Sequence, residues 1–138
     1  MTILSGKRGL IVGVANERSA AWGIAKKASD LGAELAFTYQ IPAFEKRIAP
    51  LAESVKSEIM IPCDLSEEAS AKKAMEQLST HWSEVDFVVH AVGFSDKQEL
   101  SGAYFNTSRQ NFRQTMLISA FSFTELAQAS APMMPNGS

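Results

Sequence analysis

A loop between Gly13 and Ser19 has the residue types of a phosphate-binding turn. Gly13 has no Cβ, so the chain can turn there and a ligand can approach the backbone. Ser19 is a suitable N-cap for a helix, and the small residues Ala20 and Ala21 behind it would leave the first N–H groups of that helix open to a pyrophosphate. A structural turn with a helix cap would use the same residues, and the usual Gly-x-Gly-x-x-Gly fingerprint is absent. The loop is therefore a candidate phosphate site that needs support from the rest of the chain.

The elements that must position this loop alternate between short apolar runs and longer stretches with helical spacing. We predict strands at residues 8–12, 34–39, 58–62 and 85–91. The predicted helices cover residues 19–31, 43–55 with a kink or break at Pro50, 66–82 with Ser66 as the cap, and 108–131 with Thr107 or Ser108 as the cap. Gly32 should stop the first helix, and residues 94–104 are polar and predict a loop.

Four βα units with right-handed crossovers predict an α/β fold: half of a Rossmann-like, doubly wound parallel sheet in strand order 3-2-1-4. In such a sheet a ligand binds beyond the carboxyl ends of the strands, where the winding reverses. Functional residues are therefore expected just after Val12, Tyr39, Pro62 and Ala91.

Length and composition restrict the class of protein. The 138 residues, of which 46% are hydrophobic and 20% charged, suit one globular domain. The net charge is -2 and no basic stripe is present, which argues against nucleic acid as a partner. The apolar runs are too short for a membrane span. Cys63 is the only cysteine, so an internal disulfide and a zinc site with two thiolates of this chain are excluded. We expect a cytoplasmic protein without a metal site.

Several motifs in order along the chain carry a family resemblance. They are Gly13-x5-Ser19-x-Ala21, Trp22-Gly23-Ile24-Ala25, the strand with sequence ELAFTYQ ending at Gln40, Cys63-Asp64, His90-Ala91-Val92-Gly93-Phe94, and Ile118-Ser119-x-x-Ser122-Phe123. Together they resemble the enoyl-acyl carrier protein reductases of the FabI type, which are divergent short-chain dehydrogenases. The resemblance covers residues 4–138.

This resemblance implies a set of cofactor contacts, grouped by the part of the dinucleotide they meet. Gly13, Ser19 and Ala20 would contact the pyrophosphate, Gln40 the adenosine ribose, Asp64 and Leu65 the adenine, and Val92 and Gly93 the ribose on the nicotinamide side. Ser95 falls on the family's position for substrate contact, where many relatives carry alanine. Two alternatives stay open: Asp64 as a helix cap and Val92 as ordinary core.

The expected cofactor is NADH. Gln40 stands where an acidic residue usually accepts from the ribose 2′-OH and repels a 2′-phosphate, so that repulsion is absent. However, residues 41–44 offer no cation beside it, and a phosphate requires Arg or Lys within hydrogen-bond reach. Lys46 and Arg47, further along the predicted helix, keep NADPH as the less favoured alternative.

The family's catalytic pair is a tyrosine with a lysine seven positions later, and we expect neither in this chain. Tyr39 and Lys46 match that spacing, but Tyr39 closes the second strand on the adenosine side and Pro42 separates it from the helix that carries Lys46. Tyr104 has Asn111 at the same offset. The resemblance places the catalytic residues beyond Ser138, after a fifth strand. His90 occupies a strand end where related dehydrogenases carry an amide residue, so we expect a structural, hydrogen-bonded role for His90. We expect His81 to be solvated.

The sequence therefore predicts that residues 1–138 are a dinucleotide-binding domain truncated before strands 5–7. The whole enzyme would be an NADH-dependent reductase of type II fatty acid synthesis that reduces the trans-2 double bond of enoyl thioesters on acyl carrier protein. The chain alone should be inactive. It should self-associate, because an unpaired strand edge recruits other chains, and the resemblance implies a tetramer for the full-length family. The alternatives are a non-catalytic nucleotide-binding or interaction fragment and another short-chain dehydrogenase.

Overall fold

A computed structural model describes residues 2–137. It contains a four-stranded parallel sheet of β1 (Arg8–Val12), β2 (Glu34–Tyr39), β3 (Met60–Pro62) and β4 (Phe87–His90), in the order β3-β2-β1-β4. The register pairs Val12 with His90 and Tyr39 with Pro62, so the carboxyl ends of the strands meet at one edge. The predicted fold class and strand order are confirmed.

Helices cover both faces of this sheet. The chain forms α1 (Ala20–Asp30), α2 (Pro42–Ser54), α3 (Ser70–Leu78), α4 (Arg109–Met116) and α5 (Ser122–Ser130), with a π-helical turn (Leu117–Phe121) between α4 and α5. Short 3-10 turns occupy Lys97–Glu99, Tyr104–Asn106 and Ala131–Met133. None of the helices in residues 2–137 combines the length and apolar character that crossing a membrane requires.

The hydrophobic core has two layers, one on each side of the sheet. Leu10 packs into the layer beneath α3 and α5, and its neighbour Ile11 packs into the layer beneath α1 and α2. Both side chains are fully buried. Because successive side chains of a strand point to opposite faces, a strand covered on both faces must be apolar throughout, which explains the continuous apolar runs of the sequence.

The π-helical turn divides the predicted fourth helix, and the third and second helices also differ from the prediction. The third helix begins at Ser70 instead of residue 66, because the Asp64 carboxylate accepts hydrogen bonds from the Ser66 N–H (3.0 Å) and hydroxyl (2.7 Å) and holds a turn there. The residue before α3, Ala69, is left-handed with φ of 67°. Pro50 lies within α2 without ending it, and the buried Ile48 and Ala52 on either side hold the helix against the sheet.

The other boundaries lie close to the prediction. β1 and β2 have the predicted bounds, while β3 and β4 are shorter. The Val85 N–H donates to the Met133 carbonyl at 2.8 Å, so this residue joins the end of the last helix to the sheet and does not extend β4. Ser108 caps α4 as expected, with its hydroxyl accepting from the Asn111 N–H at 3.0 Å.

Candidate functional site

The segments that follow the four strands line one cavity of about 230 Å³. It is bordered by residues 12–15 after β1, 38–40 and 44 after β2, 63–66 after β3, 91–94 after β4, and Ile118 from the π-helical turn. A larger groove of about 500 Å³ lies between α3 and α5, but none of these segments contributes a residue to its lining. The cavity at the strand ends is where a doubly wound sheet binds its ligand, and we take it as the candidate site.

Gly13 brings the ends of β1 and β4 together at the floor of the cavity. Its φ is +119°, a conformation that other residues rarely adopt, and a Cβ at this position would lie 2.2 Å from the Ala91 carbonyl oxygen. The close approach of the Ala91 backbone thus requires a glycine at this position. Gly13 also lines the cavity, where a ligand can reach its backbone. This contact was not foreseen from the sequence, since Gly13 and Ala91 are far apart along the chain.

Ser19 precedes α1, but its hydroxyl does not cap the helix. The Oγ accepts from the backbone N–H groups of Ala15 (2.9 Å) and Asn16 (3.2 Å), and so fixes the loop that follows β1. The prediction of a capping side chain was wrong in this respect. The N–H groups of Ala20 and Ala21 have no acceptor among residues 2–137. Free amides at a helix start attract anions, although Ser19 and Ala20 stand beside the cavity and are not among its lining residues.

Asp64 and Gln40 meet on the β2–β3 side of the cavity. One carboxylate oxygen of Asp64, Oδ1, holds the turn at Ser66 and lies 3.4 Å from the Gln40 Nε2. The Asp64 N–H donates to the Ser70 hydroxyl at 2.8 Å. Asp64 therefore has a local structural role, as the alternative interpretation of the sequence proposed, and its Oδ2 makes no hydrogen bond among residues 2–137. Leu65 is buried and also lines the cavity.

Two lining side chains were missed by the sequence analysis. Phe44, in the first turns of α2, lies beside Gln40 at the cavity, and its ring is 5.6 Å from the Arg47 guanidinium carbon. Ile118 reaches the cavity from the π-helical turn. Their apolar spacing was consistent with ordinary core packing, and only the fold shows that they face the strand ends.

Burial raises the pKa of the Cys63 thiol, which also lines the cavity, and keeps it protonated at neutral pH.

Val92, Gly93 and Phe94 form the cavity wall on the β4 side. A Cβ on Gly93 would meet only the Ser119 Oγ, at 4.0 Å, so packing does not require a glycine there. Ser95 follows this wall, and its hydroxyl accepts from the Asn111 Nδ2 at 3.1 Å. Ser95 itself is not among the lining residues.

His90 makes the structural contacts expected of it. Its Nε2 lies 2.7 Å from the Ser122 Oγ, and the Ser122 hydroxyl donates to the Ile118 carbonyl, so Nε2 is the donor to Ser122. The Phe123 ring meets the imidazole edge-on at 5.6 Å. Burial lowers the pKa of His90, which favours the neutral ring at neutral pH. His81 is exposed, as expected.

Neither tyrosine occupies a catalytic position in residues 2–137. Tyr39 ends β2, and two inter-strand spacings, about 10 Å, separate it from β4. Burial raises the pKa of its hydroxyl, and the nearby Glu45 raises the pKa further. Tyr104 lies in a 3-10 turn with 79% of its surface exposed.

Within the described residues no cluster of three or more His, Cys, Asp or Glu side chains could hold a metal ion.

Comparison with known proteins adds sequence and structural relatives. A family model described as Enoyl-(Acyl carrier protein) reductase matches residues 13–138. An enoyl-acyl-carrier-protein reductase (NADH) of Rhizobium meliloti strain 1021 is 53% identical over 135 residues, which are 98% of this chain and 50% of that protein. The crystal structure of FabI from Candidatus Liberibacter asiaticus superimposes with a TM-score of 0.96 at 53% identity, covering 98% of this chain and 52% of its own.

A second solved structure was determined with a bound dinucleotide. The enoyl-acyl-carrier-protein reductase of Anaplasma phagocytophilum, in complex with NAD, gives a TM-score of 0.93 at 49% identity over 97% of this chain and 52% of its own. The chain thus spans about half the length of the relatives it matches.

Proposed function

Because the chain belongs to the enoyl-(acyl carrier protein) reductase family, we propose that it forms the cofactor-binding half of an NADH-dependent reductase of type II fatty acid synthesis. The substrates of the whole enzyme are enoyl thioesters on acyl carrier protein, whose trans-2 double bond is reduced in the cytoplasm. The convergence of the four strand-end segments on one cavity carries this proposal. A cleft at the winding reversal of the sheet suits a dinucleotide, which spans several strand ends.

We place the dinucleotide across this cavity according to the groups each wall offers. The pyrophosphate lies against the backbone after Gly13 and the free N–H groups of Ala20 and Ala21, with Ser19 fixing the loop between them. Adenine lies near Asp64 and Leu65, whose free Oδ2 and backbone can pair with its edge. The nicotinamide end passes Val92 and Gly93, where Gly93 has no side chain of its own to obstruct it. NADH supplies the hydride of the reaction, and these residues bind and orient it.

The adenosine ribose lies beside Gln40. An amide can accept from and donate to ribose hydroxyl groups but carries no charge to hold a 2′-phosphate. Arg47 is exposed on α2, and its guanidinium carbon lies 5.6 Å from the centre of the Phe44 ring. Within residues 2–137, no lysine or arginine is among the residues that line the cavity, so we propose NADH over NADPH.

We expect titration of the chain with each nucleotide, followed by calorimetry, to give a dissociation constant for NADH about tenfold or more below that for NADPH, because the 2′-phosphate of NADPH would lose hydration without a cation to pair with it. Gln40→Arg should narrow this difference by adding a cation at the ribose. Tighter binding of NADPH to the unmodified chain would contradict the assignment of Gln40, and no binding of either nucleotide would contradict the proposed function.

The chemistry of the reaction requires a donor to the developing enolate oxygen. Tyr39 and Tyr104 are the only tyrosines of the sequence, and neither stands beside the nicotinamide wall at Gly93. We therefore propose that these 138 residues bind NADH without oxidising it when a crotonyl thioester is added. A fragment that only binds nucleotide would behave in the same way, and the family membership is what favours the reductase.

We also propose that the chain self-associates through the outer face of α4 and the π-helical turn. Phe112, Met116, Leu117 and Phe121 are each about half exposed there and form a shallow apolar surface. A second copy can cover this face with the same side chains, because two-fold contacts are self-complementary.

Sedimentation equilibrium should therefore give a mass at least about twice the 15.0 kDa of the chain. Met116→Glu should shift the distribution to the monomer, because a carboxylate would be buried without a partner. The exposed Gln110→Glu, which adds the same charge away from the apolar face, is the control. A monomeric unmodified chain at high protein concentration would overturn this proposal.

A further inference from the structure

A row of polar side chains runs along the inner face of the helical stretch from α4 to α5. This polar stripe consists of Asn111, Thr115, Ser119 and Ser122, spaced by three or four residues as on one face of a helix. Asn111 is only 6% exposed and Ser122 is fully buried. Buried polar groups require hydrogen-bond partners, so the contacts of this stripe indicate what it does.

The stripe faces the segment that leaves β4, and bonds to it at successive points. Ser122 meets His90, at the end of the strand. The Ser119 hydroxyl accepts from the Phe94 N–H at 2.9 Å and lies 3.1 Å from the Phe94 carbonyl oxygen, to which it can donate. Residues 91–94, which line the cavity, are therefore attached to the helix at both ends, through His90 just before them and through Phe94 itself.

Asn111 continues the same attachment beyond the wall. Its Oδ1 accepts from the Asp96 N–H at 2.8 Å, and its Nδ2 donates to the Ser95 hydroxyl at 3.1 Å. The Thr115 hydroxyl, 3.3 Å from the same Oδ1, completes the contacts of this side chain. Two consecutive residues of the loop thus bond to the amide of Asn111, and a displaced loop would leave the buried Nδ2 without Ser95 and the Oδ1 with Thr115 alone.

The π-helical turn accounts for the position of Ser119. In an uninterrupted α-helix, Ser119 would be rotated by about 80° around the axis from Asn111. A π-helical turn contains more residues per turn, and so brings Ser119 back towards the face of Asn111. Such turns are frequent at functional sites, and here the turn also directs Ile118 into the cavity.

From these contacts, we infer that Ser119 and Asn111 are positioning residues that hold residues 92–96 in place before the cofactor binds. This inference rests on the proposed function, because it assigns the nicotinamide side of the dinucleotide to that wall. A wall that is already ordered need not lose conformational freedom when the ligand arrives, and preorganisation of this kind strengthens binding. Neither residue lines the cavity, so each acts through the backbone it holds.

Amide hydrogen exchange on the chain without ligand tests the attachment directly. The N–H groups of Phe94 and Asp96 lie in a loop, yet each donates to a stripe side chain, so both should be protected in the unmodified chain. Ser119→Ala should abolish protection at Phe94, and Ser119→Thr, which keeps the hydroxyl, should restore it. Asn111→Ala should abolish protection of the Asp96 N–H. Exchange of both amides at unprotected rates in the unmodified chain would overturn the inference.

NADH affinity tests the consequence for the cofactor. Ser119→Ala should raise the NADH dissociation constant about tenfold, as expected for one lost hydrogen bond that orders the site, and Ser119→Thr should restore it. The exposed Gln114→Ala, on the same helix, is the matched control. Unchanged affinity in Ser119→Ala would overturn the inference while leaving the proposed function intact. Failure of the unmodified chain to bind NADH would instead overturn the proposed function, and the inference with it.

Discussion

Replacing Gly13 with alanine should lower the free energy of unfolding by about 4 kcal/mol, because backbone strain and overpacking act together. The added Cβ would lie 2.2 Å from the Ala91 carbonyl oxygen, and φ at this residue is +119°. The clash is with backbone, so no side-chain rotation can relieve it. β1 and β4 would have to separate at their carboxyl ends, which would also open the floor of the cavity at the strand ends. Urea unfolding of the two chains measures the difference.

Gly6 is the matched control for this change. It also has a positive φ, +77°, but a Cβ there would have no neighbour within 4 Å. Gly6→Ala should therefore cost only about 1 kcal/mol, the strain of the left-handed conformation. Equal losses for the two variants would show that the contact between Gly13 and Ala91 contributes nothing, and would contradict the close approach of the two strands.

Gly93→Leu should have the opposite profile, with a large effect on NADH binding and almost none on stability. A Cβ on Gly93 would meet only Ser119 Oγ at 4.0 Å, and Gly93 is exposed, so the substitution displaces no packed core residue. A branched side chain would occupy the path that we assign to the nicotinamide end of the cofactor. We expect the dissociation constant for NADH to rise about 100-fold, with the free energy of unfolding changed by less than about 0.5 kcal/mol.

Gly23→Leu is the control for bulk and hydrophobicity. Gly23 lies in α1, and a Cβ there would meet no atom within 4 Å. It does not line the cavity, so NADH affinity should stay unchanged. Wild-type affinity in Gly93→Leu would show that the cofactor does not pass this wall, even if it binds elsewhere on the chain.

The sequence was sufficient to predict the sheet, because its central strands β1 and β2 are buried on both faces. The apolar runs around Leu10 and Phe37 gave β1 and β2 their bounds, and the lengths of the intervening helices implied parallel crossovers. The consequence for the site followed from topology alone. Parallel strands end at one edge, so Gly13, Gln40, Asp64 and Gly93 had to meet there, and they line one cavity.

Contacts between distant residues could not be predicted in this way. The start of α3 depends on the hydrogen bonds that Asp64 accepts from Ser66. Ser and Asp side chains can form either a helix cap or a local turn with the same residues, so the sequence did not decide between the two patterns. The hydroxyl of Ser19 binds the preceding loop, although its position before a helix is typical of a cap. The π-helical turn and the polar stripe were also missed, since their pattern becomes meaningful only beside the segment that follows β4.

The most direct test of the central claim is a titration of the ¹⁵N-labelled chain with NADH, followed by amide chemical shifts. If the dinucleotide lies across the strand ends, saturable shifts should concentrate at residues 13–15, 20–21, 38–40, 63–66 and 92–94, while the groove between α3 and α5 stays unaffected. Shifts confined to that groove, or none at millimolar NADH, would contradict the assignment of this cavity to the cofactor.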